Sequence, residues 1–242
     1  MDFSLSVFNL SGCNIAEKQC LIPTLALKSN LSLLRELDLK WNKLENTGVK
    51  HLCDLLKDSC CKLERLSLRR CYMTEDGCSA LTSALKSNPS HLRELNLSWN
   101  KLGDSGVKKL SDLLMNPQFK LEKLDLSYCS ITEKQCVILT SALKSNPSHL
   151  RELNLSWNRI GNTGVKQLYD VLKDSHCKLE RLSLQNCGIT DVSSLTQTLT
   201  NSKALQFLKD LDLSNNMIGD SKQWLCDVLQ DSNCDLRVDE DL

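Results

Sequence analysis

Thirteen cysteines and four histidines are the side chains of this 242-residue sequence best suited to chemistry, as metal ligands or as a nucleophile with its base. Their spacing argues for a different role. Cys13, Cys71, Cys129 and Cys187 stand fifty-eight residues apart, and Asn42, Asn100, Asn158 and Asn216 fill the midpoints of that series. Cys20, Cys78 and Cys136 form a second series with the same interval. Metal ligands must converge on one point, whereas a fixed long interval distributes its members along a chain. His91 and His149 occupy the same place in a duplicated stretch, and His51 and His176 fall on a helix and at a helix end. The sequence holds no HExxH pair and no nucleophile elbow, and glycines such as Gly48, Gly106 and Gly164 recur singly instead of clustering into a phosphate cradle. The expectation is a protein that is not an enzyme and has no cofactor or metal.

The elements that carry these residues are repeats. Thr82–Asn100 recurs letter for letter as Thr140–Asn158, and the pattern LxxLxLxxNxL starts at Leu5, Leu34, Leu63, Leu92, Leu121, Leu150, Leu179 and Leu208, every twenty-nine residues. Leu92, Leu95 and Leu97 alternate like a short strand with one buried face, while Val107, Leu110, Leu113 and Leu114 recur at helical spacing over Gly106–Leu114. Strand, loop, helix and return, eight times over, predict an α/β solenoid, a single domain over 1–242. Parallel strands about 4.8 Å apart must accommodate helices about 10 Å wide, so the sheet should line the concave side of an arc and the helices its convex side. Asn46, Asp104, Asn162 and Asp220, and in alternate units Thr74, Thr132 and Thr190, are expected N-caps. Pro89, Pro117 and Pro147 should close helices, and Pro23 should kink or delay the first one. Leu195 and Leu199 come two places early, and Leu236 one place early, so the last units should be less regular. Leu5 opens the first unit near the chain start and the last breaks off in 236–242, so each end should expose stacking surface and the chain should belong to something longer.

Composition narrows the function. Thirty basic side chains meet thirty acidic ones, which gives no net field for nucleic acid or anionic membrane. Neither a secretory leader nor a membrane span is legible, so a cytoplasmic protein with thirteen reduced thiols acting as small hydrophobes is expected.

Two surface patterns remain. On the strand face, Glu36, Arg65, Glu94, Lys123, Glu152, Arg181 and Asp210 alternate in sign, and Arg35, Glu64, Arg93, Glu122, Arg151, Glu180 and Lys209 alternate in the opposite phase. Neighbours of this kind pair along a ladder and set register. The eighth place of each unit reads Gly12, Trp41, Arg70, Trp99, Tyr128, Trp157, Asn186 and Asn215, so five consecutive units put hot-spot residue types in one row. Trp41, Arg70, Trp99, Tyr128 and Trp157 are the expected contacts for a protein partner on the concave face or its rim, with Lys40, Arg69, Glu94, Lys123 and Glu152 as secondary contacts. The indoles would also serve as a cover for the loop edge of the core.

Units such as LRELNLSWNKLGDSGVKKLSDLL alternating with LEKLDLSYCSITEKQCVILTSAL resemble the ribonuclease-inhibitor type of leucine-rich repeat, and the wording is most similar to the repeat regions of fish NOD-like receptors. The resemblance implies a non-catalytic protein-interaction arc, the ligand-sensing or autoinhibitory region of an innate immune receptor or a stand-alone relative. The alternative it implies is a ribonuclease-inhibitor-like binder of a secreted nuclease. Such inhibitors resemble longer and more acidic horseshoes, and the nucleotide-binding and death-fold modules of the receptors have no counterpart here.

Overall fold

A computed structural model describes residues 6–147, 149–201, 207–219, 221–230 and 232–239. The expected first leucine, Leu5, the expected cap Asp220 and the closing residues 240–242 lie outside the described residues. The chain divides into two compact units, Met1–Lys123 and Leu124–Leu242.

The first unit alternates β1 (Val7–Asn9), α1 (Leu21–Lys28), β2 (Glu36–Asp38), α2 (Glu45–Leu56), β3 (Arg65–Ser67), α3 (Glu75–Ser87), β4 (Glu94–Asn96) and α4 (Gly103–Leu114). Its strands are parallel and adjacent in chain order, with Leu37 opposite Leu66 and Leu66 opposite Leu95, the twenty-nine-residue step of the sequence pattern. Helices follow the same order, α2 against α3 and α3 against α4. The second unit continues from β5 (Lys123–Asp125), which spans the division, with α5 (Glu133–Ser145), β6 (Glu152–Asn154), α6 (Gly161–Leu172), β7 (Arg181–Ser183), α7 (Ser193–Asn201), β8 (Asp210–Asp212), α8 (Ser221–Leu229) and β9 (Asp235–Arg237). Leu153, Leu182 and Leu211 stand in register there.

Each unit has its core between strand layer and helix layer. Leu92, Leu95 and Leu97 from the strand side and Val107, Leu110 and Leu113 from α4 are all buried. The two-unit period of fifty-eight residues has a packing cause. Cys78 of α3 meets Gly106 of α4, and Cys136 of α5 meets Gly164 of α6; a Cβ on Gly106 would lie 3.0 Å from the Cys78 Cβ, and one on Gly164 2.6 Å from Ile160 Cγ2. A compact thiol on one helix and a bare backbone on the next allow that approach.

Several local expectations change. The prolines behave as read: α3 stops at Ser87 before Asn88-Pro89, and α5 at Ser145 before Asn146-Pro147. Pro23 delays α1, which starts at Leu21 after a 3-10 turn over Glu17–Cys20. Thr132 caps α5 as expected, in a reciprocal box with Gln135. Asn46 and Asn162, however, lie inside the first turns of α2 and α6, and each turns its amide to the next repeat. Asn46 Oδ1 accepts from the Thr74 and Gly77 amides, 2.9 and 3.1 Å, at the start of α3, and Asn162 Oδ1 accepts from Thr190 and Asp191. Asp104 is likewise inside α4, and Thr190 is displaced because α7 begins only at Ser193. Leu236 takes the fourth place of a ninth strand opposite Leu211, so the last return is twenty-five residues long instead of twenty-nine.

Candidate functional site

The strand face is closed by its own charges. Arg65 reaches Glu36 at 2.9 Å and Lys123 reaches Glu94 at 3.4 Å in the first unit, while Arg181 pairs with Glu152 and Arg151 with Glu180 in the second. Lys209 joins Glu180 at 2.7 Å, and the two cations hold that carboxyl below its usual range, Lys209 contributing most. Glu94, Lys123 and Glu152, expected as secondary partner contacts, therefore already have partners within the sheet. So does Lys40, 2.9 Å from Asp38.

Beyond the strand the backbone must turn inward, and buried amides satisfy it. Asn100 Oδ1 accepts from the Cys71 and Met73 amides, and its Nδ2 donates to the Leu68 and Leu97 carbonyls at 2.8 and 2.9 Å. Asn158 and Asn216 repeat this pattern in the second unit. Each Asn thus serves its own repeat and the one before. In alternate repeats Cys71 and Cys187 donate their thiols back to Leu39 and Leu155 carbonyls, 3.1 and 3.3 Å, a backbone role beyond mere filling. Burial pushes the Cys71 thiol up to about 12 and that of Cys187 to about 11, which makes them unreactive. All thirteen cysteines are free, and no group of three or more His, Cys, Asp or Glu among the described residues is placed to hold a metal ion.

The expected row sits on the turn just before these amides, and its backbone is unusual. Trp41, Arg70, Trp99, Tyr128 and Trp157 all have positive φ, between 51° and 63°. Gly12, Asn186 and Asn215, in the same column, share that conformation. Glycine and asparagine enter it readily, but bulky side chains are strained there and persist only when something over-determines them. The sequence carried the signal for this column in those three residues. Trp41 is 43% exposed, Trp99 38% and Trp157 39%, so the indoles cover the core edge with one part and meet solvent with the other.

The row falls into two parts. In the first unit the Arg70 guanidinium lies 4.6 Å from the Trp41 ring centre and 5.9 Å from that of Trp99, and Arg69 approaches Trp41 at 5.4 Å. In the second, Tyr128 and Trp157 stack at 4.9 Å with planes 10° apart, and Trp157 Nε1 donates to Gln185 at 3.2 Å. An open depression of about 480 Å³ adjoins Trp157, bounded by Arg159, Asn186 and Gly188. Sequence reasoning passed over the tenth column, where exposed Tyr72 stands between Lys43 and Lys101 of the adjacent repeats.

The Leucine Rich repeat family description matches residues 30–53, 88–111, 146–168, 175–193 and 204–221, and a second leucine-rich-repeat description matches 120–141. The chain belongs to the leucine-rich-repeat family. Among curated relatives, the ribonuclease inhibitor of Sus scrofa is 42% identical over 80 residues, 32% of this chain and 17% of that protein. NACHT, LRR and PYD domains-containing protein 7 of Homo sapiens is 40% identical over 80 residues, 32% of this chain and 8% of that protein. NACHT, LRR and PYD domains-containing protein 14 of Mus musculus is 38% identical over 233 residues, 95% of this leucine-rich-repeat chain but 23% of the relative. The chain thus spans less than a quarter of each of these proteins. No described helix is long and apolar enough to cross a membrane.

Proposed function

We propose that this leucine-rich-repeat chain is a non-catalytic protein-interaction module, the ligand-sensing or autoinhibitory repeat region of a NOD-like innate immune receptor, or a stand-alone relative, working in the cytoplasm. The carrying observation is the row of large side chains kept half exposed on left-handed backbone. The core beneath is filled by leucines, and the loop backbone is satisfied by Asn42, Asn100, Asn158 and Asn216 without them. Strain of this kind is retained where it presents a side chain. Trp, Tyr and Arg are the residue types that anchor protein interfaces, and the strand charges, already paired, are weaker candidates. Similarity to a NACHT-containing relative over nearly the whole chain supports the receptor assignment.

Capture from cytosol tests it. Immobilised wild-type protein should retain a stoichiometric protein partner, and Tyr128→Ala with Trp157→Ala should lose it while keeping the melting temperature within a few degrees. Stoichiometric capture of a ribonuclease would overturn the receptor reading in favour of an inhibitor, and capture indifferent to the substitutions would remove the row from the interface.

A further inference from the structure

Arginines near the strand face fall into two classes. Arg35, Arg65, Arg93, Arg151, Arg181 and Arg237 each reach a carboxylate on an adjacent repeat. Arg69 and Arg70 differ: among the described residues neither guanidinium makes a hydrogen bond or an ion pair, and the buried Nε of Arg69 is one of two orphaned side-chain atoms. They are held by rings instead, Arg70 between Trp41 and Trp99 and Arg69 beside Trp41. A guanidinium held over an indole ring keeps its N–H groups for other acceptors, and the ring contact restricts where they can point. Two residues further along each neighbouring repeat, Lys43 and Lys101 are exposed and, among the described residues, without an ion pair, flanking Tyr72. Asp38, the nearby carboxylate in sequence, is occupied by Lys40.

From this arrangement we infer that the first unit's rim, centred on Arg69 and Arg70, docks an extended, carboxylate-rich peptide segment of the partner; the inference rests on the interaction-module reading and names its chemistry. Three consecutive repeats at about 4.8 Å per strand span about 10 Å, the reach of three to four extended residues, so carboxylates on one such segment meet the cations together. Bidentate carboxylate recognition is what a free guanidinium edge supplies. Single-stranded nucleic acid would instead require uncovered aromatic faces for base stacking, and here the Trp41 and Trp99 rings already carry guanidinium groups.

Fluorescence anisotropy with a labelled octaglutamate peptide tests this on the full chain, with octalysine and octauridylate as comparison probes. Octaglutamate should bind, weaken as salt rises, and lose about tenfold or more in affinity with Arg69→Gln and Arg70→Gln, while Lys108→Gln on the exposed side of α4 changes nothing. Should the arginine variant unfold, Lys43→Gln with Lys101→Gln should weaken binding in the same direction. No octaglutamate binding, equal binding by folded variants, or tighter binding of octauridylate would each overturn the assignment. If octaglutamate fails while Tyr128→Ala with Trp157→Ala still abolishes partner capture, the acidic segment falls and the interaction module stands. If neither effect is seen, both fall.

Discussion

Left-handed backbone recurs at fixed places of the repeat, and glycine does not occupy all of them. In the twelfth place of alternate repeats Gly103, Gly161 and Gly219 adopt positive φ, and Glu45 adopts the same conformation at 53° with its side chain exposed. Since left-handed backbone costs an L residue roughly 1–2 kcal/mol and glycine loses about 0.5–1 kcal/mol in entropy, Glu45→Gly should stabilise by about 0.5 kcal/mol. Its denaturant midpoint should rise at unchanged slope. Gly103→Ala should move the opposite way, because an alanine is strained at a φ of 63° and its Cβ would press on the Glu75 side chain. The amides obey a different rule: Asn100→Ala strands two N–H and two C=O groups in the core, so a loss of at least about 3 kcal/mol is expected. Both columns were visible in the sequence as Asn and Gly at fixed places. The strain on Trp41, Arg70 and Trp99 was not read from it, because a large side chain on its own suggests burial, and only the glycine and asparagines sharing its column betray the angle.

At the scale of the helix, the sequence placed Thr132 correctly, put Asp104 and Thr190 at starts they do not occupy, and assigned Asn46 and Asn162 to the wrong helix. Asn46 and Asn162 precede their apolar stripes by the usual interval, which reads as local capping, yet α2 and α6 already begin before them and their amides are free to serve a neighbour. Local sequence cannot show this, since the acceptor and donors are twenty-eight to thirty-one residues apart. Asn46→Ala should therefore cost about 1–2 kcal/mol, the range of a lost cap, and the loss should appear in hydrogen exchange at the start of α3 more than in α2. Equal protection of α3 in the variant would refute cross-repeat capping. Pro89, Pro117 and Pro147 were legible without ambiguity because their effect is local and steric. The final return was misplaced because Leu236, in the fourth place, has Asn233 and Val238 where the pattern has its other leucines, so one leucine alone had to set the register.

For the chain as a whole, the fold was legible from the twenty-nine-residue leucine period, and the same period carried the resemblance to other leucine-rich-repeat proteins. The free guanidinium groups of Arg69 and Arg70 were not legible, since pairing depends on which neighbour each side chain reaches. Buried thiols give the molecule a pH signature. Cys71, Cys78 and Cys136 are pushed by burial up to about 12, so they stay protonated in the folded state while the unfolded chain ionises near 9. With more protons bound when folded, stability is full below pH 9 and falls as pH rises toward 12. The melting temperature should drop between pH 8.5 and pH 10.5, and alkylation after unfolding without reductant should label all thirteen cysteines. The most direct test of the proposed interaction surface compares Trp99→Ala with Tyr128→Ala against the charge exchange Glu94→Lys with Lys123→Glu, measuring affinity for the captured partner per folded molecule alongside melting temperature. The aromatic substitutions should weaken binding at least about thirtyfold, roughly 2 kcal/mol, with little change in melting temperature, and the charge exchange should cost far less. Unchanged affinity per folded molecule together with a collapsed melting temperature would show that the row belongs to the core.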